Sequence, residues 1–282
     1  MAPKKLNLNS YYGFTKVPFT KYMWATKMFE AQSQKELIEG LSLWIQTKGI
    51  ALVYGTAGVG KSISLRRFIK ELDERRYQVF YLFNMRLTPL GFLRSLSRTL
   101  GLPVLYHQAD LFDALSAHLG TFEQRLNKHP LIIFDDADSL RDELLELMRL
   151  LANFEMDSVD RCSFVISGSG RLAARMRRTA NEALRQRISF SHQLRGFTLD
   201  DAQDYVRFHL ARVSAPAELF TDEAVQLIFH YSKGLPRVIN QIAMQALIRG
   251  ATKSQNIIDA DFLKHQVFSH SLFDQRLDEQ PD

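Results

Sequence analysis

The residues Gly55-Thr56-Ala57-Gly58-Val59-Gly60-Lys61-Ser62 fill every fixed position of the pattern G-x-x-x-x-G-K-[ST]. Glycines at this spacing let backbone N–H groups close around a β-phosphate. Lys61 adds a mobile cation for the β- and γ-phosphate oxygens, Ser62 a hydroxyl for Mg²⁺, and the helix entered at Ile63 aims its N-terminus at the anion. A second group lies further along, where the apolar run Pro130-Leu131-Ile132-Ile133-Phe134 ends in Asp135-Asp136. Asp135 is expected to close a strand beside the P-loop strand and to place its carboxylate in the metal shell, with Asp136 facing the attacking water. A carboxylate pair after a strand also reads as a solvated turn or a helix cap, and the P-loop argues against that reading here. Asp138 and Ser139 are read as caps of the next helix. ATP and Mg²⁺ are the expected ligands and ATP hydrolysis the expected reaction.

These groups need strands and helices to hold them. Ile50–Tyr54 is a short apolar, β-prone run directly before the P-loop, and Ile63–Ile69 has helical spacing directly after it. Gln78–Phe83, Pro130–Asp135 and Ser163–Gly168 read as further strands. Helical patterns cover about Ser33–Thr47, Pro89–Leu100, Leu111–Leu126 and Ser139–Ala152. Apolar strands alternating with helices predict a parallel sheet covered on both faces, an αβα sandwich. After Arg195-Gly196 the strand signal stops. Thr198-Leu199-Asp200-Asp201 and Thr221-Asp222-Glu223 are N-cap signatures, and Gly234-Leu235-Pro236 separates two helices of an all-helical lid. The expected divisions are an irregular segment 1–30 that packs near the nucleotide base, a core 31–196, a lid 197–268 and a mobile acidic tail 269–282.

The composition fits this reading without narrowing it. Of 282 residues, 36 are Lys or Arg and 31 Asp or Glu, giving a formal charge of +5, which permits an anionic partner without requiring one. Cys162 is the only cysteine, so no disulfide framework or cysteine-rich metal site is available, and a reducing, cytoplasmic setting is expected. No apolar leader or spanning stretch is present, and a membrane partner is not expected.

Taken with the P-loop and the helical C-terminal part, three further motifs carry a resemblance. Tyr12-Gly13-Phe14 followed by Val17-Pro18-Phe19, then Leu184-Arg185-Gln186-Arg187-Ile188, then Gly234-Leu235-Pro236-Arg237-Val238-Ile239-Asn240 together resemble the AAA+ ATPases of the ExeA-like group, which includes transposition regulators of the TniB, TnsC and IstB kind. The resemblance implies that Phe19 lies near the adenine. Arg187, with Arg185 in reserve, is implied as the finger offered to a neighbouring subunit's γ-phosphate, and Arg237 as the sensor 2 residue reaching the nucleotide in cis. Ser167 or Ser169 is implied as the water-orienting sensor 1. Most AAA+ enzymes carry Glu where this chain has Asp136, one methylene shorter, so slow, switch-like turnover is expected.

Arg171, Arg175, Arg177 and Arg178 follow the fourth predicted strand closely and suit phosphate contacts, although a solvated or inter-subunit basic face has the same composition. Arg86, after the second strand, is a further DNA candidate by resemblance, and Arg94 and Arg98 extend it. The expected function is an ATP-dependent regulator of transposition that forms a ring or filament on duplex DNA, without base-specific reading, and recruits a transposase or target-selection protein. The alternatives are an ExeA-like secretion-assembly ATPase and a replication-initiator or helicase-loader ATPase.

Overall fold

In the computed structural model the described residues are 7–20, 28–83, 87–152 and 159–270. The chain runs through α1 (Leu8–Tyr12), α2 (Gln32–Thr47), β1 (Ile50–Tyr54), α3 (Lys61–Glu71), β2 (Tyr77–Phe83), α4 (Pro89–Thr99), α5 (Gln108–Gly120), α6 (Phe122–Leu126) and β3 (His129–Asp135). It continues through α7 (Asp142–Leu151), β4 (Ser163–Gly168), α8 (Gly170–Met176), α9 (Glu182–Gln186) and β5 (Ile188–Gln193), and then through α10 (Leu199–Ala211), α11 (Asp222–Ser232), α12 (Pro236–Lys253) and the single turn α13 (Ala260–Phe262). Two compact units result. One comprises Gln32–Ala57 and Lys61–Arg195; the other is drawn from the described parts of Met1–Ala31 and Gly196–Asp282 together with Gly58–Gly60.

The first unit is a five-stranded parallel sheet in the order β2-β3-β4-β1-β5. Every residue of β3 and β4 is buried, as a sheet covered on both faces requires. Strand alternation sends Ile132, Phe134, Phe164 and Ile166 into one core with Phe92, Leu96, Leu111, Leu144 and Met148 from the helices. Their neighbours Ile133, Asp135, Val165 and Ser167 therefore point to the opposite face, where α3 packs on β4. The single cysteine, Cys162, is fully buried just before β4. Burial pushes its thiol far above the usual range.

The order corrects one expectation. The strand that ends in Asp135 does not flank the P-loop strand, because β4 lies between β3 and β1. Three smaller expectations also change. β5 is an addition to the expected strands: as an edge strand it has no fully buried residue, so it lacks the apolar run that marks the others. The single helix expected over Leu111–Leu126 breaks at Thr121, whose hydroxyl turns back to the Ala117 carbonyl at 3.0 Å. Asp138 caps no helix after β3; it accepts the Ser169 backbone N–H at 2.8 Å and the Ser169 hydroxyl, and Ser169 caps α8.

The second unit is helical and has its own core around Tyr205, Ile228, Ile239, Leu247 and Leu263. Thr198 and Asp201 form a capping box at the start of α10, and Thr221 caps α11. The motif Gly234-Leu235-Pro236 has a direct steric reason. The Phe197 backbone N–H donates to the Gly234 carbonyl at 2.8 Å, and a Cβ on Gly234, where φ is +69°, would lie 2.3 Å from the Phe197 carbonyl oxygen. Pro236 then opens α12, where its missing N–H costs nothing. Asn240 accepts the buried Tyr205 hydroxyl at 3.0 Å, which accounts for the polar end of the same motif.

The described N-terminal residues are part of this unit. Tyr12 donates to the Leu247 carbonyl at 3.2 Å, and burial pushes its phenol up to about 12. Phe19, 5% exposed, stacks on the His209 ring at 4.9 Å. Burial, and then the charge of Arg212, depress the His209 imidazole from 6.5 to about 4. A depressed value means that the folded unit favours the neutral ring, so this contribution is complete above about pH 6.5 and is lost as the pH falls towards 4. Urea unfolding of the helical unit followed over that interval should show falling stability, and His209→Phe should remove up to about 3 kcal/mol of the fall. An identical pH profile in the variant would sink this assignment.

Candidate nucleotide site

β1 delivers the chain to the P-loop, and the Gly55 backbone N–H anchors the departure by donating to the Gly168 carbonyl at the end of β4. Gly58 and Gly60 take φ of +85° and +115°, which only glycine adopts without strain. A Cβ at Gly58 would also come within 2.9 Å of the Arg237 Cβ. Thr56 and Ala57 are exposed, Val59 is buried and pins the loop, and Ile63 is half-buried in the first turn of α3. Lys61 is 7% exposed, and its ammonium donates to the Gly55 carbonyl at 2.8 Å and the Thr56 carbonyl at 3.3 Å. A phosphate oxygen offers the same acceptor chemistry with a full charge, so an anion in the loop would compete for these hydrogen bonds.

Asp135 ends β3 and is buried, 4% exposed. Its Oδ1 accepts the Asp136 backbone N–H at 3.0 Å and its Oδ2 the Tyr81 hydroxyl at 2.6 Å. Asp136 is exposed and has left-handed backbone angles, φ 52° and ψ 43°, which turn the chain sharply out of the strand. The two carboxylates thus take different roles: one is held and buried, the other presented to solvent. Ser62, at the start of α3, is exposed. A hydroxyl, a carboxylate and glycine-lined amides form a hard-oxygen and anion-binding set that fits a nucleotide phosphate with Mg²⁺.

The register β3 to β4 ends with Phe134 opposite Ile166, so Asp135 and Ser167 are adjacent strand ends on the α3 face. The Ser167 hydroxyl is fully buried and has no hydrogen-bond partner among the described residues, whereas Ser169 is engaged by Asp138. Of the two serines considered for the water-orienting position, only Ser167 therefore has a free hydroxyl. Arg237 is exposed, and its backbone N–H meets the Gly58 carbonyl at 3.3 Å within the helical unit. The Phe19 ring packs against His209 and Phe220 in the core of the helical unit.

Arg187 is the C-cap of α9, half-buried, and donates to the Arg149 carbonyl at 3.1 Å, near the end of α7. Arg185 is exposed beside Glu182 at 3.7 Å. The basic group of α8 divides. Arg175 is held by Asp142 at 2.5 Å and by the Asp138 carbonyl, so it ties α8 to the turn before α7, while Arg171, Arg177 and Arg178 are exposed. Arg94 is likewise engaged, by the Leu105 and Tyr106 carbonyls. Arg86 lies outside the described residues. Sequence reasoning missed Tyr81; its position two residues before Phe83, the register partner of Asp135, was the signal, but it required knowing that β2 lies beside β3.

A parallel sheet with a P-loop after β1 and a carboxylate pair after β3 defines a P-loop ATPase domain. Residues 45–176, a little under half of the chain, match the family described as AAA domain. It is 28% identical over 258 residues to general secretion pathway protein A of Aeromonas hydrophila, covering 89% of this chain and 46% of that protein, so it spans about half the length of this curated relative. Its fold is similar to that of Cdc6p from Pyrobaculum aerophilum, with a TM-score of 0.69 and 14% identity over 94% of this chain and 76% of that one. The Aeropyrum pernix ORC1 protein, solved in complex with DNA, is similar at a TM-score of 0.62 and 15% identity, covering 87% and 66% of the two chains. Among the described residues no helix is long and apolar enough to cross a membrane.

Lys61→Ala removes the only side-chain cation of the loop. Titration with a fluorescent ATP analogue should show affinity at least about 100-fold weaker, as removal of a buried charge interaction worth about 3 kcal/mol requires. Binding within a few-fold of wild type would refute the site.

Proposed function

We propose that this chain is an ATP-hydrolysing assembly switch, related in role to general secretion pathway protein A, that associates with copies of itself and with a macromolecular partner when ATP is bound. The observation that carries the reading is the pairing of a P-loop Lys61 with a buried, doubly hydrogen-bonded Asp135 and an exposed Asp136. Asp135 and Ser62 would hold Mg²⁺, which would supply charge neutralisation at the phosphates; Asp136 accepts a proton from the attacking water, and Ser167 orients that water. Arg187 stabilises the charge of the transferred phosphoryl group in a neighbouring subunit, and to do so it exchanges the Arg149 carbonyl for phosphate oxygens.

The relatives reported above lend the transposition role no support, so the partner is proposed by class. The 28% identity along 89% of the chain favours an assembly partner of the kind implied by the relative's name. A second reading, duplex DNA, is favoured by the exposed Arg171, Arg177 and Arg178 on and after α8. Gel shift and salt titration separate the two. If the partner is DNA, replacing these three arginines with Ala while leaving Arg175 intact should weaken binding at low salt and flatten the salt slope by about 0.9 for each phosphate that is no longer neutralised. No DNA binding at low salt under ADP, ATP or a non-hydrolysable analogue would exclude that reading.

Two kinetic outcomes test the switch itself. Asp136→Asn should retain nucleotide binding and lose about 10²-fold or more in turnover, while Asp136→Glu, which restores the longer reach, should raise turnover. Arg187→Ala should retain binding and lose about 10³-fold in assembly-dependent hydrolysis. Unchanged turnover and unchanged oligomer size by light scattering would remove Arg187 from the site.

A further inference from the structure

Asp135 is held by two donors that come from different places. One, the Asp136 backbone N–H on Oδ1, is local and follows from the left-handed turn at Asp136. The other, the Tyr81 hydroxyl on Oδ2 at 2.6 Å, comes from the neighbouring strand β2, 54 positions earlier in the chain. A carboxylate has about four lone-pair sites. With one taken on each oxygen, one remains on each for a cation or its water.

The position of Tyr81 makes this bond a feature of the sheet rather than of a chance rotamer. Tyr81 pairs with Ile133 and Phe83 with Asp135, so Tyr81 lies on the same face as Asp135 and one pleat below it. From there only a side chain as long as tyrosine carries a hydroxyl up to the carboxylate. Tyr81 remains 44% exposed on the edge strand, so burial alone does not explain a tyrosine there. Nor does the β2–β3 ladder depend on the hydroxyl, because the strands pair through their backbones from Tyr77–His129 to Phe83–Asp135.

We propose that Tyr81 is a positioning residue for the metal acid: its hydroxyl fixes the rotation of the Asp135 carboxylate and so determines which oxygen lone pairs face Mg²⁺. This rests on the ATP and Mg²⁺ reading above. Without the hydroxyl, Asp135 pivots about its remaining bond to Asp136, and each metal contact must be made at the cost of ordering the carboxylate. Nucleotide binding through the P-loop alone does not depend on that orientation.

The test measures metal coupling, separately from turnover. Affinity for a fluorescent ADP is determined in EDTA and across a Mg²⁺ titration for wild type, Tyr81→Phe, Asp135→Asn and the double variant, with thermal melting of each. Tyr81→Phe should leave the affinity in EDTA unchanged and raise the Mg²⁺ concentration at half effect about 3- to 10-fold, the range expected for one hydrogen bond to a charged acceptor. In the Asp135→Asn background the same change should add nothing. A Tyr81→Phe protein with a lower melting temperature and a wild-type Mg²⁺ profile would reduce Tyr81 to a structural contact and overturn the proposal, as would a full additional shift in the double variant. Wild type that binds no nucleotide in either condition would overturn the site reading, and the proposal with it. Wild type that binds nucleotide without any Mg²⁺ dependence would overturn the proposal alone.

Discussion

All five strands run in the same direction, and the placement of the chemistry follows from that constraint. In a parallel sheet every strand delivers its C-terminal end to one edge, and the groups that leave β1, β3 and β4 are brought together without any contact having to be designed between them. The P-loop leaves β1, the two aspartates leave β3, and Ser167 lies at the end of β4. The Gly55 to Gly168 hydrogen bond ties the first of these to the last.

Most of the sheet was legible in the sequence for the same reason. β1, β3 and β4 are buried on both faces, so they read as unbroken apolar runs between turns, and the glycines and lysine of the loop have fixed chemical reasons for their spacing. Legibility fails where the signal depends on partners. β5 is an edge strand with half-buried residues alternating with exposed ones, and its sequence Ile188-Ser189-Phe190-Ser191-His192-Gln193 carries no continuous run. Strand order is invisible to periodicity, so the insertion of β4 between β3 and β1 could not be read, and with it went the relation of Tyr81 to Asp135. Asp138 looked like a helix cap because it stands before a helix. Its actual partner, Ser169, is distant in sequence and becomes adjacent only through the β3–β4 ladder.

The arginines show a further limit of composition. A basic stretch states how many cations exist, not how many are available. Arg175 and Arg94 are occupied by acceptors of their own unit, so their charge holds α8 and the loop after α4 in place, while Arg171, Arg177 and Arg178 remain exposed. Arg187 combines both cases: it has a carbonyl acceptor within the monomer, yet a carbonyl is a weaker partner for guanidinium than a phosphate.

Cys162 has a practical consequence of another kind. It is the single thiol of the chain, fully buried before β4, and its protonated form is strongly favoured by burial. Thiol reagents act on the thiolate, so the native fold gives them almost nothing to attack. The protein therefore comes with a silent background for site-directed labelling: a cysteine introduced on either unit could carry a spin label or fluorophore without replacement of the natural residue, and slow modification of Cys162 itself would time the opening of the sheet core.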